Sequence, residues 1–509
     1  MMEEGRFDKA NSLAERATEI SPEATLPILT LALSDVVEGD LHLAEVKLRS
    51  LPEEGFNKFL KPLMLSWVLS GQGLGMEAET ALAPLSENSG FAVLRDLHLG
   101  LIQDVSGDKE KAMESYENAL LSGPPSSFRL VEIFGNFFER SGHSEKAMEI
   151  YRNYLENVAN ASMIEPALAR LEDNKTPEPV VNAVREGMAE ALFNISSALH
   201  QEGATKMALI YARLAGFLRP DFPINQALLA EIYELQGRKE TAKALYESIR
   251  PGTPHRWMAD LRVALILDEL NRTEEALAAL RALSEDRPER VEALVSMGDI
   301  LRTRERFKEA IAAYDEAVAR IDKMEPRHWA LLYARGIALE RAKLWQRAED
   351  DLLRALELQP GQPYVLNYLG YSWVDQGINL ERAREMIEQA VKLKPRDGYI
   401  VDSLGWVLFR FGEFEGAVRE LERAVELRPH DSTINDHLGD AYWRTGRRNE
   451  ARFQWRRALN LDPTPELAAA LEAKLENGLG DAENGSVDSA NGQGDAENGL
   501  GDAEDKPDS

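Results

Sequence analysis

Residues 398–429 read GYIVDSLGWVLFRFGEFEGAVRELERAVELRP, and residues 432–463 read STINDHLGDAYWRTGRRNEARFQWRRALNLDP, one pattern written twice. Leu404-Gly405 returns as Leu438-Gly439, Ala417 as Ala451, Leu421 as Trp455, Ala424 as Ala458 and Pro429 as Pro463, each pair 34 residues apart (439 − 405, 451 − 417, 463 − 429). Ala417, Leu421 and Ala424 stand at i, i+4 and i+7, which is one face of a helix. Gly405 belongs to an earlier helix, where the missing side chain lets a second helix come close. Gly412 and Gly446 fall between the helices, where a turn favours the backbone freedom of glycine. Each proline stops the second helix. The unit is a helical hairpin.

The turn glycines measure out the rest of the chain. Gly5, Gly39, Gly73 and Gly107 are each 34 apart and Gly142 follows after 35, with Ala10, Ala44, Ala78, Ala112 and Ala147 keeping pace in the second helices. Only four residues precede Gly5, too few for a first helix, so the chain is expected to begin in mid-repeat: a lone second helix caps the array, or the true start lies upstream. Between Gly142 and Gly203 the spacing is 61, an excess of 27. The excess contains a short helical pattern and then Pro177 and Pro179, which favour an extended connector. A boundary between two arrays is expected here. Gly203, Gly237, Asn271, Glu305, Lys343, Gly377, Gly412 and Gly446 continue the turn slot, with four extra residues around Asp322–Pro326 and one in the turn 375–379. Asn271 tolerates a left-handed turn, whereas Glu305 suggests a different turn geometry. The expected organisation is an array over 1–156, an insertion and connector over 157–188, a second array over 189–464, a capping helix over 465–477 and an acidic, low-complexity, disordered tail over 478–509.

The period and its slots resemble the tetratricopeptide repeat, although Val401 and Asn435 stand where that repeat carries an early aromatic. The resemblance implies an all-α, right-handed superhelical solenoid of about twelve hairpins plus an N-terminal half repeat. Tyr368-Leu369-Gly370-Tyr371, Asp402–Val407 and His437-Leu438-Gly439-Asp440 further resemble bacterial exported proteins of this class, including outer-membrane lipoproteins that present substrates to a carboxyl-terminal processing protease. That likeness implies an envelope adaptor, periplasmic or attached to the outer membrane, whose export signal lies upstream of Met1. The other reading is a cytoplasmic assembly or co-chaperone scaffold. The Lys/Arg/Asn set with which chaperone-binding relatives clamp a terminal carboxylate is absent, since acids occupy comparable slots.

Composition narrows the partners. Lys and Arg number 59 against 87 Asp and Glu, a net charge of −28, which disfavours nucleic acid and anionic membrane surfaces. Cysteine is absent, which excludes disulfides and thiol chemistry, and no apolar run is long enough to span a membrane. The partner expected is a protein or peptide, including an envelope protease or its substrates; oligomeric state is left open. No catalytic, cofactor or metal site is expected. Asp436-His437-x-x-Asp440 places its adjacent members on different sides of a helix. Gly71-Gln-Gly-Leu-Gly75 lacks the preceding strand of a phosphate loop, and the Asp-Ala-Glu-Asn-Gly tail segments miss the calcium-loop spacing.

A groove is the strongest candidate site. On successive first helices, the face turned from the core carries Asn367 and Tyr371; then Asp402, Trp406 and Phe409; then Asp436, Asp440 and Trp443, with Tyr364 and Tyr399 opening two of these helices. Any one of these aromatics can equally pack between repeats. Together, aromatics beside carboxylates and amides fit a protein-binding surface. Arg448, Arg452 and Arg456 form an i, i+4, i+8 stripe, read as a solvated face or as a dock for an acidic partner or the chain's own tail.

Overall fold

Left-handed backbone at one residue per repeat turns each hairpin. Gly39 (φ +90), Gly73 (φ +79), Gly412 (φ +76) and Gly446 (φ +81) all adopt it, and so do Asn271 (φ +60), Glu305 (φ +58) and Lys343 (φ +64). Glu305 therefore keeps the common turn, contrary to expectation, because the six-residue bond from Arg306 N–H to Leu301 C=O recurs as Arg447 N–H to Tyr442 C=O and holds the chain in that shape. The computed structural model describes residues 7–87, 89–122, 127–158 and 162–480. The expected mid-repeat start at Gly5 and the expected tail beyond 480 lie outside the described residues.

Twelve hairpins follow one another: 25–49, 57–82, 89–122 and 128–157, then 184–218, 223–247, 256–286, 292–319, 329–358, 363–393, 398–427 and 432–459. Helix Phe7–Ile20 precedes them and helix Pro465–Asn477 follows. No strand occurs among the described residues. Within a hairpin a small residue of the first helix faces a large one of the second. A Cβ on Gly405 would lie 2.5 Å from Leu421 Cγ, and one on Gly439 2.5 Å from Trp455 Cδ1. Ala417, Ala424, Ala451 and Ala458 complete the contact face and are fully buried. Asp397 and Asp431 cap the first helices, accepting from the backbone N–H of Tyr399 (3.0 Å) and Ile434 (2.9 Å).

Two compact units make up the chain, residues 1–283 and 284–509, and the insertion lies inside the first. The physical reason is that the chain returns on itself there. Helix Glu165–Glu172 packs on helix Ser144–Asn157, and Arg170 of the former donates to Glu139 at 3.0 and 2.7 Å. Residues 175–180 are extended, their carbonyls held by Asn136 Nδ2 (to Glu178, 2.8 Å) and Arg219 Nη1 (to Val180, 3.0 Å). Helix Val184–Gln201 then lies across the first helices of the hairpins 57–82 and 89–122. Gly187 sits under Trp67, so close that a Cβ would come within 2.2 Å of the indole. Glu190 accepts from Arg129 Nε at 3.0 Å, and both are buried.

Trp67 Nε1 donates to His98 Nδ1 at 3.1 Å, which requires that nitrogen to be unprotonated. Burial pushes the His98 pKa down to about 4, opposed by Glu190. A folded-state pKa below the unfolded value means that this group's stabilisation is present above pH 6.5 and is lost as pH falls toward 4. Between pH 7 and 5 the first unit should lose about 2 kcal/mol through this residue. Urea denaturation of wild type and His98→Gln at the two pH values measures it, and an equal pH dependence in both proteins contradicts the assignment. In the second unit, Glu305→Gly and Lys343→Gly should each raise the urea midpoint, because a left-handed non-glycine residue costs about 1–2 kcal/mol and glycine's extra chain entropy takes back about half. A fall in midpoint would mean that the native side chains themselves hold these turns.

Candidate functional site

The residue six positions before each turn glycine marks one face of the first helices (412 − 406, 446 − 440, 377 − 371, 73 − 67, 142 − 136): Trp406, Asp440, Tyr371, Trp67 and Asn136. This is the face on which the groove was expected. What covers it differs from repeat to repeat.

In the last two hairpins the chain covers it with itself. His437 Nδ1 donates to the Asp402 carboxylate at 3.0 Å, and Trp406 stacks on the His437 ring (centroids 4.3 Å apart) and on Phe409 (5.0 Å). Trp406 is 7% exposed. Lys474 of the last helix donates 2.8 Å bonds to both oxygens of Asp436 and to Asp440 Oδ2, while Trp455 Nε1 donates to Asp440 Oδ1 at 2.9 Å. Beyond that helix, Trp443 Nε1 donates to the Leu479 carbonyl (3.1 Å) and Arg444 to that of Gly480 (3.0 Å). The Arg448 guanidinium lies 3.8 Å over the Trp443 ring and that of Arg452 5.8 Å, so two members of the arginine stripe clasp this half-buried tryptophan; Arg456 is exposed.

These contacts involve six of the residues expected to line the groove. Asp402, Trp406, Phe409, Asp436, Asp440 and Trp443 take part in the joint between the hairpin 432–459 and its neighbours, where among the described residues the helix Pro465–Asn477 and residues 478–480 cover the face in place of a further hairpin. Burial would push the His437 pKa down, but Asp402, with Asp436 and Asp440, outweighs it and raises it. Burial lifts Asp440 to about 6 against the pull of Lys474. The sequence contains the signal in part: Asp436 and Asp440 at i, i+4 converge on one cation, and Lys474 is the one cation of an otherwise apolar and acidic helix. Nothing local in the sequence pairs the two.

Tyr364, Asn367, Tyr371 and Tyr399 are placed differently. The three tyrosines are half-buried, and Tyr399 lies under the Arg428 guanidinium at 4.8 Å. Asn367, at i+3 from Tyr364 and i−4 from Tyr371, is 5% exposed and its Oδ1 has no hydrogen-bond donor. In the first unit the corresponding face is covered: Trp67 by Gly187, and Asn136 by the connector carbonyl of Glu178. Among the described residues no group of acids, histidines or cysteines is arranged to hold a metal ion, and no helix is long and apolar enough to cross a membrane.

Lys474→Met leaves two buried carboxylates without their cation, and should cost about 3–5 kcal/mol of second-unit stability. Adding Asp436→Asn and Asp440→Asn to the same chain should restore most of the loss. Guanidinium denaturation followed by tryptophan fluorescence tests both, and wild-type stability of the single variant would show that the lysine is dispensable to the joint.

Two family models, both described as tetratricopeptide repeat, match the chain, one at residues 261–325, 320–363 and 375–432 and the other at 408–475. The TPR repeat-containing protein PA4667 of Pseudomonas aeruginosa is 32% identical over 184 residues, 36% of this chain and 30% of the relative, so the chain spans under a third of that protein's length. Among solved structures, the Cut9–Hcn1 hetero-tetramer of APC/C is similar at 16% identity over 93% of each chain with a TM-score of 0.42. Yeast Tom70 is similar at 14% identity over 89% of this chain and 94% of its own, with a TM-score of 0.39. The chain carries tetratricopeptide repeats at 261–363 and 375–475, and helical hairpins of the same kind recur from residue 25 to 459.

Proposed function

We propose that the chain is a non-catalytic scaffold that takes an extended segment of a protein partner on the face formed by Tyr364, Asn367, Tyr371 and Tyr399. The tetratricopeptide fold itself supports a protein–protein interaction scaffold. The observation that carries the choice of face is Asn367: a buried amide oxygen without a donor costs roughly 1–3 kcal/mol, and a partner backbone N–H supplies what is missing. The tyrosines on either side offer large contact area with few rotors to freeze. Elsewhere the equivalent positions are satisfied from within, Trp67 and Asn136 by the returning chain and Asp440 by Lys474.

The compartment we propose is the bacterial envelope, with a protease or its substrates as partner. It rests on the likeness of the segments 368–371, 402–407 and 437–440 to exported repeat proteins, and fractionation of native cells tests it: recovery in the cytosol alone supports a cytoplasmic assembly scaffold instead.

A photo-crosslinking residue in place of Tyr371 should capture a discrete partner in native cells, whereas one in place of Met76, which is exposed on the first unit, should not. With the captured partner purified, Tyr371→Ala is expected to weaken binding about thirtyfold, near 2 kcal/mol, and Asn367→Ala to weaken it without lowering the melting temperature. Crosslinking from position 76 with silence at 371 would move the site off this face.

A further inference from the structure

The irregular part of the first unit borders an open pocket that the repeat pattern does not explain. A cavity of about 410 Å³ lies among helix Glu165–Glu172, the extended connector, and the turns before helices Pro223–Leu235 and Arg256–Glu269. That volume is in the range of small-ligand sites. Its apolar lining includes Phe128, Met163, Ile164, Ala167 and Val180. The polar lining converges from separate elements: Arg129 and Asn136 from helix Phe128–Arg140, Arg170 from the inserted helix, and Arg219 and His255 from the two turns.

Most of these polar groups are already satisfied. Arg129 is paired with Glu190 and Glu132, and Arg170 with Glu139. Asn136 holds the Glu178 carbonyl and accepts from Arg140 at 2.9 Å. Two groups stand apart. Arg219 spends Nη1 on the Val180 carbonyl and rests 4.9 Å over the Phe222 ring, and among the described residues no carboxylate forms an ion pair with it. His255 is 8% exposed, its ring edge against Phe128 (5.4 Å), and its Nδ1 has no hydrogen-bond partner. Arg219 is half-buried, whereas burying an imidazole nitrogen without a partner is costly and calls for a group that completes it.

We propose that this cavity binds a compact monocarboxylate with an apolar body, the carboxylate on Arg219, its polar end hydrogen-bonded by His255, and the apolar body against Met163 and Ile164. Charge favours a single negative charge over a phosphate dianion. The pocket lining carries Arg129, Arg170, Arg219 and Arg250 against Glu132, Glu178 and Asp221, one cation in excess. Burial, with Arg129 adding to it and Glu132 opposing, lowers the His255 pKa, so at neutral pH the imidazole is uncharged and adds a hydrogen bond and no second positive charge. The carboxylate belongs either to a free organic acid or to an acidic side chain of a partner segment. Both present the same chemistry to Arg219.

Isothermal titration of the full-length chain separates these cases. The probes are hexanoate, its uncharged counterpart hexanamide, and a leucyl-glutamyl dipeptide blocked at both ends. One saturable site is expected for hexanoate or for the blocked dipeptide, and none for hexanamide. Binding of hexanoate alone assigns the site to a free acid; binding of the dipeptide alone assigns it to a partner side chain. Arg219→Gln should weaken the bound probe at least about tenfold. His255→Phe, which keeps the ring contact with Phe128, should weaken it several-fold, and Met163→Trp should abolish it by filling the apolar end. Should Arg219→Gln lose helical circular dichroism, the His255 and Met163 variants decide in its place. Failure of every probe to bind, equal binding of hexanamide, or wild-type affinity in the folded variants overturns the proposal. Because the face at Tyr371 belongs to the second unit, none of these results bears on the partner site proposed there.

Discussion

A missing side chain beneath a large one, as Gly298 under Tyr314, Gly405 under Leu421 and Gly439 under Trp455, is the contact on which these hairpins rest, and small residues such as Ala264 fill the slot elsewhere. It brings two helices close enough to bury the alanine faces that flank it, and it leaves each hairpin with an apolar face that only a neighbour can cover. Everything particular to this chain follows from how that uncovered face is dealt with, repeat by repeat. Where a next hairpin exists, stacking covers it. Where none exists, or where the period breaks, other residues have to be recruited.

The last hairpin shows the recruitment most fully. Helix Pro465–Asn477 brings a buried lysine to the hairpin's two aspartates while residues 478–480 close over Trp443. A buried ion pair of this kind adds little net stability over an apolar contact, but losing one member is expensive, so it fixes the position of the capping helix more than it strengthens the fold. In the first unit the returning helix Val184–Gln201 plays a comparable part: Gly187 admits Trp67, and Glu190 neutralises Arg129. The extended connector before it is gripped through its carbonyls by Asn136 and Arg219, the manner in which a scaffold of this class would grip a partner's backbone. The first unit thus keeps part of its own sequence against this face of its first helices. The cavity beside that connector exists because an irregular segment cannot pack as tightly as a regular hairpin.

Much of this was legible in the sequence, and for one reason. A strict period reports local geometry, because turn, small residue and stop recur at the same offsets whatever surrounds them. The hairpins, the inserted residue near Asn379, the capping helix and the left-handed slot could be read from Gly39, Gly405 and their repeats alone. Glu305 was the exception in kind: its side chain argued for another turn, and the hydrogen bonds closing the hairpin overrode it.

What the sequence could not determine is which side of a first helix is free. Trp406 and Tyr371 occupy the same slot and look equally like groove residues, yet one is stacked beneath His437 and the other keeps part of its ring at the surface. The difference is made by residues far along the chain, Lys474 for Asp440 and Gly187 for Trp67, whose pairing depends on where the chain turns back and not on any spacing. Periodicity is a property of neighbours in sequence and so determined the hairpins. Exposure is a property of neighbours in space, and only the tertiary structure decided which tyrosines stay half-buried and which asparagine keeps a buried oxygen without a donor.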